Sequence, residues 1–206
     1  MSHVVLLLAH PRPDSYCHAL AERIGQRLVD LGHEVRSHDL YAERFDPLMT
    51  TYESHTSGEA VESALSREED PLIALHREEL RQAQGLAVVH PNWWGMPPAI
   101  LAGWVNRVVV PGVAYRLAEA SGRPEPLAPI QRLFVVNTSD TTDEREETLY
   151  GDPLAAIWGR CIAPYLGSPR VTRRVLRPVS DATPDQRAAW LDEVDALAGE
   201  AFGPTS

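Results

Sequence analysis

Val4-Val5-Leu6-Leu7-Leu8-Ala9 is an unbroken apolar run of strand length, and from Ser15 onward Ala19, Leu20, Ile24, Leu28 and Leu31 recur at helical spacing until Gly32. Glu34 to His38 reads as a second strand, so the chain opens as strand, helix, strand with a parallel, right-handed crossover. Periodicity is lost over residues 40–70, a long excursion of the kind that is often functional in compact domains. Leu72, Ile73, Leu75, Leu80 and Ala83 predict a helix from Pro71 to near Gly85, and Leu86 to Val89 a third strand. The next helix runs from Pro97 to Val110, with proline in its first turn and Ala99, Ile100, Leu101, Trp104 and Val105 as its apolar positions. A second excursion, residues 111–130, precedes a fourth strand at Leu133 to Val136. Leu154, Ile157, Trp158 and Ile162 mark a helix, Val171 to Leu176 a fifth strand, and Ala188, Leu191, Val194 and Leu197 a closing helix from Pro184 to Ala201. Five strands alternating with five helices predict one domain over residues 1–206. Its fold is a three-layer α/β/α with a five-stranded parallel sheet in the order 2-1-3-4-5. In that order the loops after strands one, three and four converge on one edge.

Composition narrows the partners. With 206 residues and a formal charge of −10, the chain suits neither nucleic acid nor an anionic membrane surface. Its apolar runs are too short to span a bilayer, and His3 leads straight into the first strand without a basic leader, so the expectation is a cytoplasmic protein. Cys17 and Cys161 fit neither a CxxC motif nor a Cys/His metal spacing. A disulfide framework is not expected.

Candidate chemistry lies in the loops. Between strand three and its helix stands Pro91-Asn92-Trp93-Trp94-Gly95-Met96-Pro97-Pro98, with the backbone restrained on both sides of two adjacent tryptophans. Neighbouring loop residues do not both face one core easily, so a flat apolar ligand competes with the assignment of Trp93 and Trp94 as core aromatics. The loop after strand one, His10 to Ala19, ends at a helix N-terminus whose N–H groups suit a phosphate. It is neither GxGxxG nor GxxxxGK[ST], which argues against a dinucleotide Rossmann site and an NTPase. No GxSxG elbow is present. His10, His18, His38 and His90 show no short ligand spacing and no acidic partner fixed nearby, so no metal is expected.

Ala9-His10 with Ser15-Tyr16, the run Pro91 to Trp104, and Gly112-Val113-Ala114-Tyr115 together resemble the flavin-dependent NAD(P)H:quinone oxidoreductases of flavodoxin-like fold, over nearly the whole chain. The resemblance implies a tightly held flavin, FAD with FMN as the alternative, and NAD(P)H as co-substrate. It places the phosphate on the helix after His10, with donors from Ser15, Tyr16 and Cys17. The ring then lies against Pro91, Asn92, Trp93, Trp94 and Gly95 and is closed by Asn137, Thr138, Ser139 and Asp140. Arg187 would approach the distal end of an adenine dinucleotide, and Ala114 and Tyr115 would wall a substrate pocket across a homodimer. Where the better-known members carry Thr-Thr-Gly-Gly and a histidine, this chain has Asn137-Thr138-Ser139-Asp140 and Tyr150. The expected activity is ping-pong two-electron transfer from NAD(P)H to a quinone or similar acceptor. Tyr150 and the Ser139-Asp140 backbone N–H groups would stabilise charge on the reduced ring. The alternative is a flavin-binding electron carrier or regulatory subunit of a transporter without steady nicotinamide turnover.

Overall fold

The computed structural model describes residues 2–54, 65–67, 70–118 and 122–204. The strands are β1 (His3–Leu8), β2 (Glu34–Asp39), β3 (Gly85–Pro91), the two-residue β4 (Tyr115–Arg116) and β5 (Glu125–Pro126), β6 (Arg132–Thr138) and β7 (Arg170–Leu176). The regular helices are α1 (Tyr16–Asp30), α2 (Pro71–Gln82), α3 (Ala99–Val108) and α4 (Pro184–Phe202). β2-β1-β3-β6-β7 form one parallel sheet, which is the expected 2-1-3-4-5 order once the separate β4-β5 ribbon is set aside.

The apolar runs become strands because both faces of the sheet are covered. β3 is buried at every position and β6 at all but its first, the pattern of central parallel strands that cannot alternate polar with apolar. Alternate residues go to opposite layers. Val5, Leu7, Val88 and Val135 pack with Trp104 of α3 and with Trp158, whereas Val4, Leu6, Val89 and Val136 pack with Leu20 and Ile24 of α1 and Val194 of α4.

Two segments depart from the sequence expectation. Residues 143–150, read as loop, form a helical turn over Asp143–Arg145 that passes into a π turn over Glu146–Tyr150. The helix expected over Leu154 to Ile162 is α-helical only at Pro153–Ala156, then π over Ile157–Ile162 and 3-10 over Ala163–Leu166. Pro164, which lacks an N–H, cannot continue a regular ladder. The first excursion keeps a buried anchor at Leu40, Phe45 and Glu53, while its residues 55–64 and 68–69 lie outside the described set. No described helix is long and apolar enough to cross a membrane.

Candidate functional site

A cavity of about 520 Å³ opens at the carboxyl ends of β3 and β6. Asn92, Trp94 and Gly95 form one wall, Ser139, Asp140 and Thr141 a second, and Glu146, Leu149, Tyr150 and Pro153 a third.

The first wall is a tight turn. Asn92 N–H donates to Thr138 O at 2.6 Å, extending the β3-β6 pairing by one bond, and Trp93 and Met96 exchange backbone bonds at 3.1 and 3.0 Å. Between them Trp94 and Gly95 both take left-handed backbone, φ 60° and 76°, as the mirror-image hairpin turn requires. The Asn92 side-chain oxygen accepts from Gly95 N–H at 2.9 Å and holds the turn. A Cβ on Gly95 would stand 2.9 Å from Pro153 Cγ, so the first and third walls nearly touch. Trp94 is 96% exposed, so it is not a core aromatic, and a bulky residue in this conformation is held there by its surroundings.

In the second wall, Ser139 N–H donates to Leu176 O at 3.0 Å and the Asp140 carboxylate accepts from Ser180 N–H at 2.8 Å. The Ser139 amide, expected to face developing charge, is therefore committed to the sheet edge, because β6 keeps pairing with β7 one residue beyond its end. In the third wall, Tyr150 is half-exposed and its hydroxyl accepts from Arg145 at 3.1 Å. Glu146 is buried, with Asn92 Nδ2 at 3.5 Å and Arg177 Nη1 at 3.6 Å.

The loop after β1 joins this edge. Ser15 stands at the N-cap of α1 but makes no side-chain cap, its hydroxyl bonding His18 Nδ1 at 2.9 Å instead. The first N–H groups of α1 are thus left to an anion. His10 accepts from Arg12 N–H at 3.2 Å, burial lowers its pKa, and its ring lies 6.1 Å from that of Trp93. Cys17 is buried, which pushes its thiol up to about 11, with Sγ 3.4 Å from Thr138 Oγ1. Its side chain ties α1 to β6, so only its backbone faces the N-terminus. Tyr16 donates to Arg187 O at 2.6 Å, and burial raises it to about 12. The Arg187 guanidinium sits 5.7 Å over the Tyr16 ring.

Pro91 and Thr138, at the buried ends of β3 and β6, do not line the cavity, and three further expected residues stand elsewhere. Ala114 is fully buried, and Tyr115 lines a separate cavity of about 280 Å³ with Tyr165, Cys161 and Val105. Asn137 is fully buried beneath the site: its carbonyl oxygen accepts from Arg173 Nε at 2.8 Å and its amide nitrogen lies 2.8 Å from His90 Nε2. Trp158 Nε1 donates to the same His90 nitrogen at 3.0 Å. That nitrogen carries the lone pair, and the proton on Nδ1 goes to Pro91 O at 2.8 Å. Burial lowers His90 to about 4, aided by the Arg173 charge, so it is neutral. Sequence reasoning weighed His90 only as a metal ligand and missed Arg173 and Asp152.

A second buried cluster corrects another expectation, that no acidic partner is fixed near the histidines. His38 Nδ1 meets Glu43 at 2.7 Å and His38 Nε2 meets Glu79 at 2.5 Å. His76 Nε2 is 3.3 Å from Glu43, and ligand-type atoms of His38, Glu43 and His76 gather within 4.8 Å. Protons account for the arrangement. Both His38 nitrogens face carboxylates and must donate, and Trp104 Nε1 donates to His76 Nδ1 at 2.9 Å, leaving the His76 proton on the atom that faces Glu43. Burial alone would lower the His38 pKa, but the hydrogen bonds and charges of Glu43 and Glu79 outweigh it and raise it.

The model of a family with a flavodoxin-like fold matches residues 2–198. The chain is 36% identical over 112 residues, 54% of its length and 55% of the relative's, to the uncharacterized NAD(P)H oxidoreductase YcaK of Escherichia coli K12. It is 34% identical over 124 residues to rat NAD(P)H dehydrogenase (quinone) 1, covering 55% of this chain and 45% of the rat protein. The chain thus spans about half the length of these curated relatives. The solved NAD(P)H:quinone oxidoreductase from Methanothermobacter marburgensis superposes with a TM-score of 0.75 at 23% identity, over 100% of this chain and 99% of that one. With the strand order, the loop convergence and a family match over almost every residue in agreement, the chain belongs to the family of flavodoxin-like fold.

Proposed function

We propose that the protein is a flavin-dependent oxidoreductase that takes electrons from NAD(P)H and passes them to a quinone or a related small aromatic acceptor. The observation that carries this reading is the cavity between the β3 and β6 turns, with Trp94 on its rim, on the same sheet edge as an α1 N-terminus that no side chain caps. The residues fit a flavin: an anion site, a turn with an exposed indole and a volume suited to a planar ring lie on one edge. The names of the relatives, NAD(P)H oxidoreductase and NAD(P)H dehydrogenase (quinone), support the same reading.

Bound there, the flavin would supply two-electron chemistry, with NAD(P)H and the acceptor using the cavity in turn, a ping-pong sequence. The protein's part is binding, orientation and charge. The N–H groups of Tyr16 and Cys17 would hold the phosphate, the Asn92–Gly95 turn would bear on the ring, and Arg187, beside Tyr16, would meet the distal part of FAD. Tyr150 lines the cavity and stands where the resemblance puts a histidine. Its hydroxyl, accepting from Arg145, keeps its own proton to donate. Tyr115 would reach a substrate only across a homodimer, and Ala114, with no exposed surface, would back it from beneath. The exposed Met96, Leu149 and Trp94 give an apolar rim for that contact.

Releasing the bound cofactor by heat and identifying it chromatographically decides between FAD and FMN. Oxidation of NADH or NADPH with a simple benzoquinone tests the activity. Turnover supports an enzyme, whereas a bound flavin without nicotinamide oxidation identifies an electron carrier or regulatory subunit instead.

A further inference from the structure

Taking the cavity above as the reaction site, we propose that Arg173 on β7 is a positioning residue that presets both its third wall and the buried groups beneath its first two. The residue touches neither substrate nor ring. Its guanidinium grips Asp152 through two bonds, 2.6 and 2.9 Å, and donates Nε to Asn137 Oδ1 at 2.8 Å. Its side chain is only 13% exposed.

The grip on Asp152 matters because of the backbone there. Gly151 and Asp152 are both left-handed, φ 68° and 47°. A non-glycine residue keeps such a conformation only where its environment imposes it. Asp152 is also the N-cap of the next helical turn, accepting from Ala155 N–H at 3.3 Å, and Gly151 N–H closes the preceding π turn on Glu146 O at 2.8 Å. Tyr150 and Pro153 stand on either side of this reversal, so the Asp152 carboxylate fixes where both meet the cavity. A π turn beside a cavity is itself a frequent mark of function.

The bond to Asn137 settles a second matter. A guanidinium cannot accept a hydrogen bond, so Asn137 must turn its oxygen to Arg173 and its NH₂ to His90. So oriented, the Asn137 amide adds a second donor to His90 Nε2, whose lone pair is already fixed there by the Trp158 N–H and by the proton that Nδ1 gives to Pro91 O, just before the Asn92–Gly95 turn. Arg173 therefore holds a buried amide under one wall while it holds the backbone of another.

The test uses the full chain with Arg173→Met, Arg173→Lys, Asp152→Asn and the Met/Asn double variant, and Trp94→Ala as a cavity-lining control. Equilibrium dialysis of FMN and FAD, benzoquinone KM and kcat, and ¹⁵N NMR of the Asn137 side-chain amide are the readouts. Arg173→Met is expected to weaken flavin binding or raise the quinone KM by about tenfold or more. It also frees the Asn137 side-chain amide, whose ¹⁵N resonance shifts, and the double variant is no worse than the single, as one coupled pair requires. Arg173→Lys keeps the charge without the fork, restores only part of the binding, and stands in if Arg173→Met does not fold. Wild-type binding, KM and Asn137 amide resonance in the Arg173 variants, with Trp94→Ala impaired, would overturn the assignment alone. Unchanged binding in Trp94→Ala as well would take the cavity reading down with it.

Discussion

Tyr150 carries the sharpest residue-scale expectation. Its hydroxyl lines the cavity without a backbone obligation, whereas the Ser139 amide is already given to Leu176. Tyr150→Phe is expected to retain flavin and to slow at least one half-reaction by about tenfold, the worth of one net hydrogen bond. Stopped-flow rates equal to wild type in both halves would remove it from the mechanism. The tryptophan pair was legible in the sequence because prolines and Gly95 restrain the loop around it. The burial of Asn137 was not, since which side of β6 it faces, and that Arg173 meets it there, depends on strand register. His90 was hidden for the same reason: its partners come from residues 137 and 158, far away in the chain.

At the scale of elements, strands and long helices were read within a residue or two because their apolar periodicity is strong. The turn over residues 143–150 was lost because Asp143, Glu144, Arg145, Glu146 and Glu147 give no apolar stripe to count. The first excursion shows how a polar stretch is anchored. Glu53 accepts from Arg77 at 2.8 Å and from Arg107 at 3.0 Å, fastening the 3-10 turn Thr51–Ser54 to α2 and α3. Pro47 lies so close to α3 that a Cβ on Gly103 would fall 2.4 Å from its Cα. Glu53→Gln weakens a buried ionic cluster and is expected to cost about 3–5 kcal/mol, read as a lowered denaturation midpoint. A loss below about 1 kcal/mol would show the excursion to be tethered elsewhere.

For the molecule as a whole, two buried histidines pull stability in opposite directions with pH. His38 is held protonated, its folded pKa raised above 6.5. Its contribution is complete below about 6.5 and is lost as pH rises through the raised value. His90 is held neutral at about 4, so stability falls as pH drops from 6.5 towards 4, by an amount on the order of 3 kcal/mol. Glu43, brought to about 2 because its bonds to His38 and His76 outweigh burial, stabilises above 4.5 and is lost towards 2. The maximum is therefore expected near pH 6.5. Denaturation midpoints of His38→Gln should keep the slope between about 6.5 and 4.5, which belongs to His90, and lose the alkaline one, and an unchanged alkaline slope would sink the role given to His38. The five tryptophans divide in a useful way, Trp104, Trp158 and Trp190 being buried while Trp93 is partly exposed and Trp94 stands almost wholly in water at the cavity rim. That asymmetry gives the molecule a built-in optical gauge, because the red-shifted part of its ultraviolet emission comes from the edge where a ligand would settle.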